Sequence, residues 1–123
     1  MAHEYQAVFF EKENGDMPAQ EFLDSLDIKM NAKMVRTISM LQNNGPDLRE
    51  PYSKHLDDGI FELRAKVGSD ISRVLYFFIV GRCAILTHGF IKKTQKTPKP
   101  EIDKAKVYRE DYMKREENRH ENA

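Results

Sequence analysis

The chain has 123 residues, 40% apolar and 33% charged, which is enough for one hydrophobic core, too little for two, and too apolar for a disordered polymer. No apolar run reaches the length of a membrane span, the start MAHEYQAVFFEKE lacks the pattern of a signal peptide, and a single cysteine excludes an internal disulfide. The formal net charge is zero, yet residues 82–109 hold eight Lys/Arg against two Asp/Glu, so a polyanionic partner is compatible with a neutral total.

YQAVFFEKE, with Val8, Phe9 and Phe10, predicts a first strand that stops at Asn14-Gly15. DMPAQEFLDSL follows as a short helix, with Asp16 or Met17 as cap, Pro18 in the first turn and Phe22, Leu23 and Leu26 on one face. Asp27 caps a second helix in which Met30, Met34, Ile38 and Leu41 form a core-filling stripe, and Gly45-Pro46 ends it. The two helices make a hairpin.

From Gly59 the period changes to two. Phe61, Leu63, Ala65 and Val67 alternate with Glu62, Arg64 and Lys66, the pattern of a strand with one dry and one wet face. After a turn at Gly68-Ser69, ISRVLYFFIV is apolar on both faces except at Ser72, Arg73 and the Tyr76 hydroxyl, as a central strand covered on both sides would be. Gly81-Arg82 turns the chain into a last strand, CAILTHGF, where Cys83 reads as a buried structural thiol rather than a nucleophile. Pro98 and Pro100 precede a final helix from about Glu101, with Ile102, Ala105, Tyr108 and Tyr112 as its inner stripe. The order is β-α-α-β-β-β-α in one α+β domain over residues 1–123, an antiparallel sheet with an N-terminal helical hairpin and a C-terminal helix, ending in a charged, frayed tail over 113–123. A cytoplasmic location follows from these expectations.

Arg73 is the anomaly. An unpaired guanidinium in an apolar strand would cost several kcal/mol, so it needs an acidic partner or an open cleft. If the strands around Gly68-Ser69 pair, Arg73 comes opposite or diagonal to Arg64 or Glu62, which is either a cross-strand ion pair or the floor of a cationic patch. The segment after the last strand, THGFIKKTQKTPKP, adds Lys92, Lys93 and Lys96, which can come back over the same sheet. A groove of Arg64, Arg73, Lys92 and Lys93 suits a phosphodiester backbone, with Lys66 and Lys96 beside it.

Tyr76, Phe90 or Tyr108 could stack on an unpaired base, or each belongs to the core. His88 is either a proton-transfer group at the basic end of its strand or a satisfied structural histidine; His55 is a weaker candidate, and Glu62 is a base or an orienter of arginine. The histidines at 3, 55, 88 and 120 have no metal-type spacing and there is no phosphate-cradling loop, so no metal or other cofactor is expected.

KHLDDGIFELRAKVGSDISRVLYFF and THGFIKKTQKTPKPEIDKAKVYREDY resemble the phage-derived branch of the RelE/ParE superfamily, the HigB-type toxins of bacterial toxin–antitoxin modules. The similarity runs from FFEKENGDMPAQEFLDSL to Tyr112. It implies a RelE-like fold and a ribosome-dependent, metal-independent mRNA endoribonuclease that enters the ribosomal A site and arrests translation. It also implies a HigA-type helix-turn-helix antitoxin and operator DNA reached only through the toxin–antitoxin complex.

Carried over by position, the resemblance implies that Arg64 and Arg73 bind and stabilise the scissile phosphate and that Lys92 and Lys93 form the basic segment after the last strand, with proton transfer open to His88 or Tyr108. Together with the residue-level reading, the expected catalytic group is Arg64, Arg73, Lys93 and His88, and Lys66, Lys92, Lys96, Tyr108 and Glu62 are expected on the RNA path. Two alternatives are a ParE-like inhibitor of the same fold that binds DNA gyrase without cutting RNA, against which the Arg64, Arg73 and lysine cluster counts, and a non-enzymatic nucleic-acid-binding module.

Overall fold

The computed structural model describes residues 4–121. In chain order it has β1 (Gln6–Phe9), α1 (Pro18–Ser25), α2 (Ile28–Asn44), a 3-10 turn (Gly45–Asp47), β2 (Ser53–Asp57), β3 (Ile60–Val67), β4 (Asp70–Ile79), β5 (Cys83–Lys92) and α3 (Lys99–Glu121). The strands form one sheet in the order β1-β5-β4-β3-β2. β1 runs parallel to β5 and every other pair is antiparallel, so the sheet is mixed, where the sequence suggested an antiparallel one.

Local chemistry sets most boundaries. Pro18 begins α1, and the Glu21 carboxylate accepts from the Met17 N–H, tying down an otherwise unpaired donor. Asp27 caps α2 by accepting from the Met30 N–H at 2.8 Å. α1 and α2 cover one face of the sheet, where Leu23, Met30, Met34 and Leu41 meet Leu63, Ala65, Val74, Tyr76 and Leu86. α3 covers the other, where Ala105, Tyr108 and Tyr112 join Phe10, Ile60, Leu75, Phe77 and Ile85. β4 lies at the centre and is buried on both sides.

β2 was not expected. YSKHLDDG has no apolar alternation because Ser53 alone is buried, its hydroxyl bonded to that of Tyr76. Asp58 and Gly59 both take positive φ and join β2 to β3 as a two-residue turn, so this Asp-Gly pair was the available hairpin signal. Glu62 and Arg64 do not lie on a wet face: residues 93–98 fold back over them as a strap, and Glu62 is fully buried.

Cys83 is half-buried, its thiol near the Gly81 carbonyl. The supposed tail continues α3 through Glu121, supported by the pairs Glu110–Lys114 and Asp111–Arg115 and by Arg115 over the Phe10 ring. Residues 122 and 123 of that tail lie outside the described residues.

A bulge in β5 governs which side chains face α3. The register jumps from Leu75↔His88 to Tyr76↔Leu86, leaving Thr87 as the extra residue with its hydroxyl on the Leu75 carbonyl. One inserted residue reverses the alternation beyond it, which turns His88, Phe90 and Lys92 toward the face that carries Arg73.

Candidate nucleic-acid interface

Arg64 and Arg73 stand directly opposite each other across β3 and β4. Two guanidiniums at that spacing repel, and the remedy is built from their neighbours. Glu62, two residues before Arg64 on the same face, accepts from Arg64 Nε with one carboxylate oxygen and from the Thr97 hydroxyl with the other. Burial lowers the pKa of Arg73, the Glu62 charge raises it and Arg64 lowers it, so Glu62 compensates both cations.

The remaining donors go to the strap. Arg64 Nη1 donates to Gln95 Oε1 at 3.0 Å and Nη2 to the Gln95 carbonyl. Arg73 Nη1 donates to the Lys96 carbonyl at 3.2 Å and Nη2 to the Thr94 carbonyl. Thr94, Gln95 and Lys96 thus present main-chain oxygens to the donors of the two arginines. Arg73 Nε is buried without a hydrogen-bond partner.

Outside the strap lies a groove of about 890 Å³. Arg64, Lys66 and Lys96 line it together with Lys33 and Arg36 of α2 and Lys54 of β2. Its one carboxylate, Glu50, is 4.0 Å from Lys54. Arg73 and Glu62 lie beneath this surface, fully buried. The exposed Lys92 and Lys93 fall outside the lining, at the end of β5 and the start of the strap. The structure therefore joins Arg64, Lys66 and Lys96 in one groove with Arg73 and Glu62 as its support.

His88 is not part of it. The imidazole is buried under α3, with Nδ1 on the Thr87 hydroxyl at 3.0 Å and Nε2 on Glu101 at 3.2 Å. Burial holds its pKa below the ordinary value, with Glu101 opposing. Tyr108 packs on Phe10 and His88 inside the same layer and does not reach the groove. Phe90 stacks on His88, and Tyr76 is buried against α2, where burial pushes its pKa up to about 12. The arrangement of His88 and Tyr108 is that of core residues.

The sequence reading missed Lys33, Arg36, Tyr52 and Lys54, which sit on α2 and on or beside β2. His55 also lines the groove, its Nε2 accepting the Gly59 N–H at 3.1 Å. LREPYSKH has no regular alternation and gave no sign of a site; only the pairing of β2 with β3 brings it alongside Arg64.

Among the described residues no cluster of His, Cys, Asp and Glu could hold a metal ion, and no helix is long and apolar enough to cross a membrane. No curated protein matches the chain. The family model described as "Phage derived protein Gp49-like (DUF891)" matches residues 21–110, a span that runs from α1 through β5 and the strap into α3 and contains every lining residue of the groove. The chain belongs to this phage-derived Gp49-like family, which is associated with RelE/HigB-like toxins.

Proposed function

We propose that this chain is the toxin of a type II toxin–antitoxin module, a HigB-type, ribosome-dependent endoribonuclease that cuts mRNA in the A site and arrests translation. The observation that carries the reading is the opposed pair Arg64 and Arg73, compensated by one buried carboxylate, with Arg64 among the six cationic side chains that line a groove holding one acid. A protein-binding inhibitor has no need of that arrangement, whereas a phosphodiester does.

In the cleavage, the 2′-oxygen attacks the adjacent phosphorus, a bond from phosphorus to O2′ forms, and the bond to the 5′-oxygen breaks. The 2′-hydroxyl loses its proton to a base and the leaving oxygen gains one, so no water or metal enters the balance. Arg64 supplies forked donors to the crowded phosphoryl oxygens, which requires the phosphate to displace Gln95 from its two terminal nitrogens. Arg73 is a positioning residue that holds the strap, through the Thr94 and Lys96 carbonyls, over Arg64. The ribosome orients the message, and a HigA-type helix-turn-helix antitoxin covers the toxin and carries it to operator DNA. This places its action in the cytoplasm.

Induction in a bacterium, followed by primer extension on an abundant translated message, tests the reading. Wild type should arrest growth and create new 5′ ends inside codons, and Arg64→Lys, which keeps the charge but loses the fork, should reduce those ends at least tenfold. Growth arrest with intact messages would replace this reading with that of a gyrase-type inhibitor.

A further inference from the structure

β2 is shorter than β3, and this leaves a gap in the sheet edge. The Arg64 N–H still reaches the Tyr52 carbonyl at 2.9 Å, but beyond it β3 has no neighbouring strand on that side. The even-numbered backbone groups of β3 face this edge, and the Lys66 carbonyl is capped by Lys33 Nζ from α2. An incoming strand would find its ladder blocked. What remains is a notch crossing the sheet edge, with the strap on one side and α2 on the other.

We infer that the far wall of this notch, Arg36 and Lys33 of α2 with Tyr52 and Lys54, is a subsite for an unpaired nucleotide of the RNA strand, its base stacked on Tyr52 and its phosphates on Arg36 and Lys54. The inference rests on the proposed function and extends the RNA path beyond the arginine pair. Three observations carry it.

Tyr52 is 43% exposed and lines the groove, and among the described residues its ring stacks on no other aromatic. The aromatic residues of β4, β5 and α3 considered for that role are engaged in the two cores. Of the subsite's cations, Arg36 makes no ion pair among the described residues and Lys54 has only the exposed Glu50 at 4.0 Å, a pair that a phosphate can replace, while the neighbouring Lys66 and Lys96 are likewise without an acidic partner there. Pro51, Met40 and Ile71 supply apolar lining between the cations, which a base would cover and a free inorganic anion would not. An acidic peptide would satisfy the lysines without using an aromatic face, whereas a single-stranded nucleotide uses both.

The test uses the full chain and a fluorescein-labelled, all-2′-O-methyl hexaribonucleotide, which cannot be cleaved, with anisotropy read over a range of salt. Tyr52→Leu should weaken binding about tenfold and Tyr52→Phe should retain it, since stacking needs the ring and not the hydroxyl. Arg36→Ala/Lys54→Ala should flatten the dependence of log affinity on log salt by ~1.4 for two lost phosphate contacts on a single strand. Poly-glutamate should bind with no difference between wild type and Tyr52→Leu.

Binding of the hexamer by Tyr52→Leu within twofold of wild type, or failure of wild type to bind it, would overturn the subsite. Wild type that binds through Tyr52 but leaves messages intact in cells would keep the subsite and remove the endoribonuclease; wild type that cuts while Tyr52→Leu binds normally would do the reverse.

Discussion

Replacing Glu62 by glutamine removes the only negative charge from a network that holds two guanidiniums face to face. Glu62 and Arg73 are fully buried, and the Arg64 side chain is 17% exposed, so water can compensate Arg64 in part and Arg73 hardly at all. Breaking a buried ion pair from one side costs roughly 3–5 kcal/mol; because the amide keeps an acceptor for Arg64 and a partner for Thr97, we expect the lower end of that range, about 3 kcal/mol.

The second variant, Arg73→Met, removes a cation and leaves the Glu62–Arg64 pair intact, while the freed carbonyls of Thr94 and Lys96 lie on an exposed strap where water can reach them. Its cost should be smaller, about 1 kcal/mol. Combining the two should recover at least ~1 kcal/mol relative to the sum of the single effects, because the charge stranded by the first substitution is removed by the second. Urea unfolding followed by far-UV circular dichroism measures all four proteins. Additive losses, or a Glu62→Gln loss below about 0.5 kcal/mol, would refute the account of Glu62 as the compensating charge.

Met34 is fully buried between α2 and the sheet, so Met34→Ala should cost about 2–5 kcal/mol in the same assay. Gly89 faces α1, and an added Cβ would lie 2.2 Å from the Phe22 ring; Gly89→Ala should cost roughly 1–3 kcal/mol, part of it restored by Phe22→Leu, whose side chain is smaller. Burial keeps the folded-state pKa of His88 below its ordinary 6.5, so the unfolded chain binds a proton that the folded one does not. Its contribution to stability is complete above pH 6.5 and declines as pH falls below that value, down to the depressed folded pKa. Melting temperatures between pH 8 and pH 5 should therefore drop more steeply for wild type than for His88→Gln; parallel curves would contradict the burial of a neutral imidazole.

Much of this protein follows from near-neighbour chemistry that is visible in the chain. Asp27, Pro18 and Gly45-Pro46 bound the helical hairpin through caps and a fixed φ, and the alternation Phe61, Leu63, Ala65, Val67 defines β3 and its dry face. The oddity of Arg73 in an apolar strand was also enough to mark where the cations gather, since a buried guanidinium must be answered by something. The facing of Arg64 and Arg73 follows from the two-residue turn at Gly68-Ser69.

Other features depend on contacts between distant segments. β2 is a strand because β3 offers it an edge and Tyr76 offers Ser53 a partner, neither of which alters the local pattern of YSKHLDDG. The parallel seating of β1 on β5 makes the sheet mixed, and nothing in YQAVFF records the direction of its neighbour. The bulge at Thr87 decides that His88 lies under α3, and α3 then decides that it is core; period-two reasoning cannot place one inserted residue in an apolar strand. The strap is the largest such effect. It buries Glu62 and Arg73 and leaves Arg64 partly exposed, so the sequence marked the central arginines while long-range packing added Lys33, Arg36 and Lys54 and decided which cations a ligand can touch.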